Sequence, residues 1–511
     1  MKKITKFLTG RMFLITIIFL LQLIFIVEMF ITLQEKFIWF YVVSVILSLI
    51  LVVVLVNKDT NPAYKITWII PILTLPLFGS FLYLFFAQNR FVKNVRNSMS
   101  ATTSSFHFLM SNQDNVLEEI GNSDAYLESR YLERYASCPV YRNTKSRYYP
   151  LGELYFEDLV EDLRNAKKFI FLEYFIIDEG YVWDKIYEIL KEKAKEGVDV
   201  RLIYDDFGCM NKVGRDFDRR LIDAGIRFQV FNPIKYVVLP QHNNRNHRKI
   251  AVIDGKIGYT GGLNLADEYI NKKVRFGHWK DSGVRIEGQA VWSMTVFFLS
   301  MWNSLSSDFT PFNEYIPDDF FRENDFMEDS GFVQPFADSP LDQEPVGENL
   351  YLNIIYKAKK YVYITTPYLI LSSEMLTALT SAAKGGIDVR IITPYIADKI
   401  MVFMVTRSFY ETLLSAGVKI YEYKPGFIHA KNIVSDDSVA VVSTINVDFR
   451  SLYLHFENGV WFYNSPVIEE IKEDFLDTLE VSERKTLSQM KKEWLIVKIA
   501  RSILRVFAPL L

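Results

Sequence analysis

The chain has 511 residues, which corresponds to two to four structural units at about 100–200 residues per domain. Half of the residues are apolar and 23% are charged, so a disordered chain is excluded. The 58 basic and 61 acidic side chains give a formal net charge of −3, without the basic excess typical of nucleic-acid-binding proteins. The two cysteines, Cys138 and Cys209, are too few for a disulfide framework or a four-cysteine zinc site.

Residues 1–90 contain three long apolar runs, which predict a membrane anchor of two to three helices. The third run carries two prolines and a glycine, so we expect it to re-enter the membrane or lie at the interface. Basic residues precede the first run and follow the third, which predicts that both ends face the cytoplasm. We therefore predict a multi-pass protein of the cell membrane, with a linker over 91–129 and a cytoplasmic catalytic domain. The runs are Met12–Leu33, Ile38–Val56 and Ile66–Phe86.

From about residue 130, strand-like apolar runs alternate with helix-like stretches, which predicts an α/β fold. Three segments recur in the same order later in the chain, which indicates a duplicated domain. We place the two halves at residues 130–306 and 347–485 and expect them to form a pseudo-twofold pair with a site between them. The recurring pairs are Ala166–Phe171 with Ala358–Tyr363, Ala194–Ile203 with Ala383–Ile392, and Ala224–Arg227 with Ala416–Lys419.

Two segments flank the second half. Residues 307–346 hold eleven acidic side chains, one basic side chain and five prolines, which predicts a solvated linker or, alternatively, a lid. Residues 486–511 predict a basic amphipathic helix, with Lys491, Lys498, Arg501 and Arg505 on one face and apolar residues opposite. This helix is suited either to an anionic membrane surface or to packing on the catalytic domain.

Both halves contain the pattern His-x-Lys-x4-Asp, followed by a pair of small residues and an asparagine. The chain has only six histidines, so two such patterns at corresponding places in a repeat are not accidental. The motifs supply the candidate catalytic residues His247, Lys249 and Asp254 in the first half and His429, Lys431 and Asp436 in the second. The candidate phosphate-binding residues are Asn264 and Asn446.

The spacing of these residues predicts chemistry at a phosphate. A histidine and a lysine two positions apart on a strand point to the same face, so the pair of motifs brings two imidazoles and two ammonium groups to one point. Lysine and asparagine amides donate to an anion, and one histidine can attack phosphorus while the other protonates the leaving oxygen. Asp254 and Asp436 are interpreted as structural members of the motifs that hold the turns after the strands.

Each histidine needs a carboxylate to orient its second nitrogen. We expect Asp281 to serve His247 and Glu457 to serve His429, with Glu287 as the alternative in the first half. No group of cysteine, histidine and carboxylate residues has metal-ligand spacing, which predicts a reaction without metal or cofactor. The remaining histidines, His107, His242, His278 and His455, have no counterpart in the repeat and are interpreted as structural.

The paired motifs resemble those of the phospholipase D superfamily, and the chain as a whole resembles its bacterial cardiolipin synthases. Further segments resemble that family along nearly all of the chain, with one departure at Ser443, where the family usually has glycine and which weakens Thr444 as a substrate contact. These segments are Asn57–Tyr83, Trp279–Gly288, Thr366–Tyr368, Asp448–Ser451, Phe456–Glu457 and Pro509–Leu511.

The resemblance implies a transfer of phosphatidyl groups between two phosphatidylglycerol molecules through a phosphatidyl-histidine. By analogy, His247 is the nucleophile and His429 the general acid and then base, while Lys249, Lys431, Asn264 and Asn446 hold phosphate oxygens. The expected partners are phosphatidylglycerol and anionic membrane lipids, without nucleic acid, and a homo-oligomer stays open. The alternatives are a membrane-bound hydrolase of the phospholipase D type, another head-group-exchanging transferase, a membrane-tethered nuclease and an inactive lipid-binding scaffold.

Overall fold

A computed structural model describes residues 11–36, 38–58, 60–86, 114–121, 123–234, 244–317, 331–341 and 344–510. His107, His242 and the basic residues used to predict topology, other than Arg11, lie outside these ranges. The helices are α1 (Arg11–Lys36), α2 (Ile38–Val56), α3 (Pro62–Thr74), α4 (Pro76–Phe86), α5 (Asp114–Glu119), α6 (Asp124–Ala136), α7 (Gly152–Asn165), α8 (Tyr181–Lys195), α9 (Asp206–Cys209), α10 (Phe217–Asp223), α11 (Val291–Leu305), α12 (Val346–Lys357), α13 (Ser373–Lys384), α14 (Ile400–Ser408), α15 (Tyr410–Ser415), α16 (Phe449–Tyr453), α17 (Val467–Glu480), α18 (Leu487–Lys492) and α19 (Leu495–Val506). The strands are β1 (Thr144–Tyr149), β2 (Phe169–Tyr174), β3 (Asp199–Asp205), β4 (Arg227–Phe231), β5 (Arg245–Asn246), β6 (Lys249–Ile253), β7 (Ile257–Gly261), β8 (His278–Lys280), β9 (Gly283–Gly288), β10 (Phe332–Asp338), β11 (Tyr361–Thr365), β12 (Asp388–Pro394), β13 (Lys419–Tyr423), β14 (Gly426–Ile428), β15 (Asn432–Ser435), β16 (Val439–Ser443), β17 (His455–Tyr463) and β18 (Ser482–Arg484).

Two mixed sheets confirm the predicted α/β duplication. The first sheet has the order β1-β9-β7-β6-β2-β3-β4, and the second has β10-β17-β16-β15-β11-β12-β13-β18. Each strand of the first sheet therefore has a counterpart at the same place in the second, and β18 is an addition at the far edge. The central strand β2 is buried along its whole length, as expected for an apolar strand covered by helices on both faces.

Amphipathic helices cover the sheets. In α8 the buried side chains, among them Val182, Ile186 and Ile189, recur at helical spacing, while the charged residues face outward. Helix α11 is different, because twelve of its fifteen residues are buried. It packs against strands β2, β4, β6, β7 and β9 of the first sheet and against β10 of the second, so it lies in the core between the halves.

The prediction of a solvated linker over 307–346 is wrong for residues 332–338, which form strand β10. Val333 and Phe336 are fully buried, and β10 pairs antiparallel with β17 over seven residues. The many acidic residues around this short apolar segment favoured the prediction of a linker over that of a strand. Helix α6 also packs on this sheet. Gln334 of β10 donates to the Ser129 carbonyl in α6 and to the Cys138 carbonyl just after it. The second half therefore includes residues on both sides of the first.

The N-terminal region contains one helix long and apolar enough to cross a membrane, Ile38–Val56, among the described residues. The third apolar run is broken into α3 and α4 at Leu75. Trp68 and Tyr83 stand on opposite sides of that break, yet their ring centroids lie 5.6 Å apart, so the two helices fold back on one another. At about 1.5 Å per residue each helix is about 20 Å long or less, short of the roughly 30 Å hydrocarbon core.

Candidate active site

The first motif histidine belongs to one half but is held against the other. Strand β5, just before His247, pairs in parallel with the start of β17, and the His247 amide donates to the Phe456 carbonyl (2.9 Å). This places the imidazole beside Glu457, whose two oxygens lie 2.8 and 2.9 Å from His247 Nδ1. His247 and Glu457 are both buried.

The second histidine is held in the reciprocal way. Strand β14, just before His429, pairs in parallel with β8, and the His429 amide donates to the Lys280 carbonyl (2.7 Å). His429 Nδ1 then lies 2.7 Å from Asp281 Oδ2. The two loops that carry the histidines thus cross between the halves.

This exchange corrects the predicted partners. Asp281 and Glu457 do orient the two histidines, but each carboxylate serves the histidine of the opposite half. Glu287, the alternative, is half-exposed and pairs with Arg285 instead. Because an ionised carboxylate only accepts hydrogen bonds, each Nδ1 carries the proton and each Nε2 keeps its lone pair for chemistry.

The two motif lysines lie under the histidines. Lys249 and Lys431 are almost fully buried, and each ammonium group donates to the backbone carbonyl of its own motif histidine, His247 (2.6 Å) and His429 respectively. Burial lowers the pKa of Lys249 to about 7 and that of Lys431 to about 8, although Glu457 and Asp281 oppose the change. An anion bound beside these two lysines would favour their charged forms.

The same surroundings keep both imidazoles neutral. Burial, followed by repulsion from Lys249 and Lys431, lowers the pKa of His247 well below its usual range. Burial and repulsion from Lys431 lower the pKa of His429 to about 4, against the attraction of Asp281. Burial alone would raise the pKa of Asp281, but the interaction with His429, which includes its hydrogen bond, and the charge of Lys431 bring it below its usual value.

The two predicted phosphate-binding asparagines occupy matching positions. Asn264 donates from Nδ2 to the Tyr269 hydroxyl (2.6 Å), and Asn446 donates from Nδ2 to the Ser451 hydroxyl (3.1 Å). Each amide nitrogen has a second hydrogen. Both residues are buried near the strand ends that carry the lysines. The hydrogen bond from Asn264 to Tyr269 also connects it to His429, because the Tyr269 ring centroid lies 5.5 Å from that of His429.

The motif aspartates do not reach the histidines. Asp254 accepts from the backbone amides of residues 167–169, and Asp436 accepts from those of residues 359–361. Each stands beyond the far end of its strand; for Asp254 the intervening strand β6 spans roughly 17 Å at about 3.3 Å per residue. Both are structural, as the sequence interpretation favoured, and their place among the catalytic candidates is corrected.

The surroundings of the two histidines differ. His429 is enclosed by Tyr269, Trp279 and Phe427, with ring centroids 5.4 to 6.0 Å away. His247 faces Phe175 (5.1 Å) and a third histidine, His455 (5.6 Å). His455 has no counterpart in the repeat, so the interpretation as structural misses it, but its position two residues before Glu457 on β17 places both side chains on the same face.

Two further groups complete the His247 side. The Thr444 hydroxyl donates to Glu457 Oε2 and thus supports the orienting carboxylate. His247, His455 and Glu457 also bring donor atoms within 4.8 Å of one another, a grouping that could hold a metal ion and that the sequence spacing did not predict. The positive charges of Lys249 and Lys431, which lower the pKa of His247, would equally oppose a divalent cation there.

The duplicated domain has matches among known proteins. The family model described as "Cardiolipin synthase, PLD-like domain" matches twice, at residues 159–289 and 351–479, and the "Phospholipase D-nuclease N-terminal" model matches residues 46–88. An uncharacterised protein of Streptococcus mutans is 43% identical over 462 residues, which is 90% of this chain and 99% of the relative.

Named relatives and a solved structure extend the comparison. Cardiolipin synthase 2 of Bacillus anthracis is 34% identical over 89% of this chain and 88% of its own, and a cardiolipin synthase of Geobacillus sp. is 34% identical over 89% and 90%. The crystal structure of phosphatidylserine synthase from Haemophilus influenzae covers 76% of this chain and 98% of its own with a TM-score of 0.56; at 14% identity it supports the fold alone. The chain therefore belongs to the cardiolipin synthase family of proteins with phospholipase D-like domains.

Proposed function

We propose that this phosphatidyltransferase makes cardiolipin and glycerol from two phosphatidylglycerol molecules. The observation that carries the proposal is the reciprocal pair of buried histidine–carboxylate contacts around two buried lysines. That arrangement offers two imidazole Nε2 atoms and a cationic site for one phosphodiester. Membership in the family directs this chemistry to phosphatidyl groups.

In the first step, His247 Nε2 attacks the phosphorus of the donor lipid. The nitrogen–phosphorus bond forms and the phosphorus–oxygen bond to glycerol breaks, while His429 Nε2 gives its proton to the leaving oxygen. Glu457 stabilises the positive imidazole that results. A bound phosphodiester offsets the charges of Lys249 and Lys431, so we expect it to raise the pKa of His429 and allow the protonated acid.

In the second step, the terminal hydroxyl of another phosphatidylglycerol attacks the phosphatidyl-histidine. His429 Nε2, now neutral, accepts the hydroxyl proton, the new phosphorus–oxygen bond forms, and the bond to His247 breaks. The second hydrogens of the Asn264 and Asn446 amides are suited to hold the equatorial phosphate oxygens in both steps.

The experiment uses detergent-purified protein with phosphatidylglycerol as the sole lipid, without added metal, and follows lipid products and glycerol. We expect cardiolipin and glycerol in equal amounts, and loss of both with His247→Ala and with His429→Ala. Phosphatidic acid with glycerol would instead identify a hydrolase. Absence of turnover would contradict the proposed substrate.

Assignment of the nucleophile needs a separate measurement. Enzyme mixed briefly with radiolabelled phosphatidylglycerol and quenched in alkali, where phosphohistidine survives, should carry label at residue 247. Label at residue 429 would reverse the two roles.

We also propose that the chain is a multi-pass protein of the cell membrane with its catalytic halves on the cytoplasmic side. The N-terminal family match, the long apolar helix α2 and the broken helices α3 and α4 support membrane association, and the basic residues before the first apolar run and after the third support the cytoplasmic side. An enzymatic reporter fused after residue 511 should be active only inside the cell.

A further inference from the structure

The C-terminal helix exposes its apolar side. Five large apolar side chains on and just before α19 are exposed to solvent, by 50 to 79%. Charged residues do not alternate with them along this side. They are Trp494, Leu495, Ile496, Ile499 and Ile503.

The neighbouring helix α14 also exposes two apolar residues. Helix α14 packs against α19, and its first two residues, Ile400 and Met401, are 74% and 51% exposed. We name these seven residues, on α14 and at α19, the C-terminal apolar face. Clustered exposed apolar side chains of this kind mark interaction sites in soluble proteins.

The basic side of the helix faces the protein. Arg501 is buried and paired with Glu493, the Arg505 guanidinium lies 4.2 Å from the Phe409 ring centroid, and Lys498 Nζ lies 3.8 Å from Glu411. The predicted alternatives were a basic face on an anionic membrane or a helix packed on the domain. In the structure these charged side chains hold the helix against the catalytic domain, so its apolar side points outward.

The C-terminal end of α19, the helix that carries most of this face, contacts the apolar N-terminal region. The Thr67 hydroxyl of α3 donates to the Val506 carbonyl at the end of α19 (2.8 Å). The Tyr64 ring stacks on Phe449 of α16, with ring centroids 6.1 Å apart and planes within 4°. Helix α3 in turn packs against α2, the helix long enough to span a membrane. The surroundings of the C-terminal apolar face therefore point to lipid.

The face also lies near the reactive residues. Lys399, immediately before α14, has its ammonium group 5.2 Å from the Tyr368 ring centroid. Tyr368 contacts Phe427 at 6.4 Å, and Phe427 contacts His429 at 6.0 Å. A short chain of side chains thus joins the face to one of the two histidines.

We propose that the C-terminal apolar face inserts into the acyl-chain region of the same leaflet that the hairpin of α3 and α4 contacts. This inference rests on the proposed function, because it explains how the site meets its lipid substrates. The exposed Lys491 and Lys492, at the end of α18, are placed to contact anionic head groups beside it. The inserted face holds the site at the level of the lipid phosphates.

The test uses the full-length protein with one introduced cysteine, because Cys138 and Cys209 are both buried and do not compete for labelling. The fluorophore NBD is attached to Ile499→Cys and, separately, to Ile503→Cys. The matched control is Ile222→Cys on α10, where the native side chain is 65% exposed. Each protein is reconstituted into vesicles of phosphatidylglycerol and phosphatidylcholine, with or without bromine on the acyl chains.

We expect brominated lipid to quench NBD at 499 and 503 at least twofold and to leave the control unchanged. Quenching no greater than at 222 would overturn the proposal. A blue shift in detergent that grows with protein concentration, without quenching by bromine, would mean that a second copy covers the face and would also overturn it.

A functional readout separates this inference from the proposed activity. The double variant Ile499→Glu/Ile503→Glu should lose at least tenfold of its rate on vesicle phosphatidylglycerol and keep most of its rate on a short-chain, water-soluble analogue. Equal loss on both substrates would count against the membrane role. Quenching does not require turnover, so it remains informative if phosphatidylglycerol proves not to be the substrate.

Discussion

At the scale of single residues, the chemistry depends on contacts across large sequence separations. Glu457 lies 210 positions from the histidine that it orients, and Asp281 lies 148 positions from its own. A carboxylate at Nδ1 fixes the tautomer and stabilises the imidazolium or phosphorylated imidazole formed during the reaction. The loss of either carboxylate should therefore affect the rate of the chemical steps more than lipid binding.

The first prediction concerns Glu457→Gln. We expect kcat for cardiolipin formation to fall on the order of 10²- to 10⁴-fold, because the positive form of His247 loses its counter-charge. The control is Glu287→Gln, at a half-exposed carboxylate paired with Arg285, which should keep nearly full activity. Steady-state rates on phosphatidylglycerol measure both, and equal losses would contradict the assignment of Glu457.

A second prediction follows from the charge of Lys249. That charge contributes, after burial, to the lowered pKa of His247, so Lys249→Met should raise this pKa. The nucleophile is lost as the pH falls through the pKa of His247. The acid limb of kcat/KM should therefore move to higher pH in the variant, in profiles measured between about pH 4 and 8. An unmoved or lower acid limb would contradict the electrostatic role.

The sequence identified the histidines and lysines that the structure brings together, but not which carboxylate contacts which histidine. The repeated motif identified both histidines, both lysines and both asparagines, because the spacing within each motif and its recurrence can be recognised from the sequence alone. Sequence proximity then favoured Asp281 for His247. The true pairing depends on the short parallel contacts β5–β17 and β14–β8, which join segments from different halves and have no local signature.

At the scale of elements, strand β10 shows how composition can mislead. Its apolar residues lie inside a strongly acidic stretch, so averaging over the stretch predicted solvent exposure. The strand is buried almost continuously rather than on alternate residues, and its partner β17 supplies the pairing that the segment cannot provide alone.

Two phenylalanines of this acidic stretch allow a matched test. Phe336 is fully buried in β10, whereas Phe309 is 64% exposed. Phe336→Ala should lower the free energy of unfolding by about 3–5 kcal/mol, because it leaves a cavity between the sheet and its helices. Phe309→Ala should change it by less than about 0.5 kcal/mol. Denaturant unfolding in detergent compares the two, and equal effects would argue against a buried β10.

At the scale of the whole molecule, one chain supplies both histidine–carboxylate pairs among the described residues. Both histidines, both lysines and both carboxylates come from the two halves of the same copy, locked by the two reciprocal strand contacts. The duplication therefore does what dimerisation of a single half would otherwise have to do.

A mixing experiment tests this arrangement. Purified His247→Ala and His429→Ala proteins, combined in one vesicle population, should form no more cardiolipin than either alone, because neither copy contains a complete site. Wild-type protein mixed with either variant controls for interference and should keep its own rate. Restored synthesis in the double mixture would mean that halves are exchanged between copies.

The crossed loops also constrain how the chain can be recombined with its relatives. A chimera with a junction between residues 317 and 331 inherits His247 from one parent and the carboxylate that orients it from the other. In each such hybrid, both histidine–carboxylate pairs combine one residue from each parent. Activity in a panel of chimeras, compared at matched stability of the hybrids, would therefore report how well the geometry of the two parents matches at the centre.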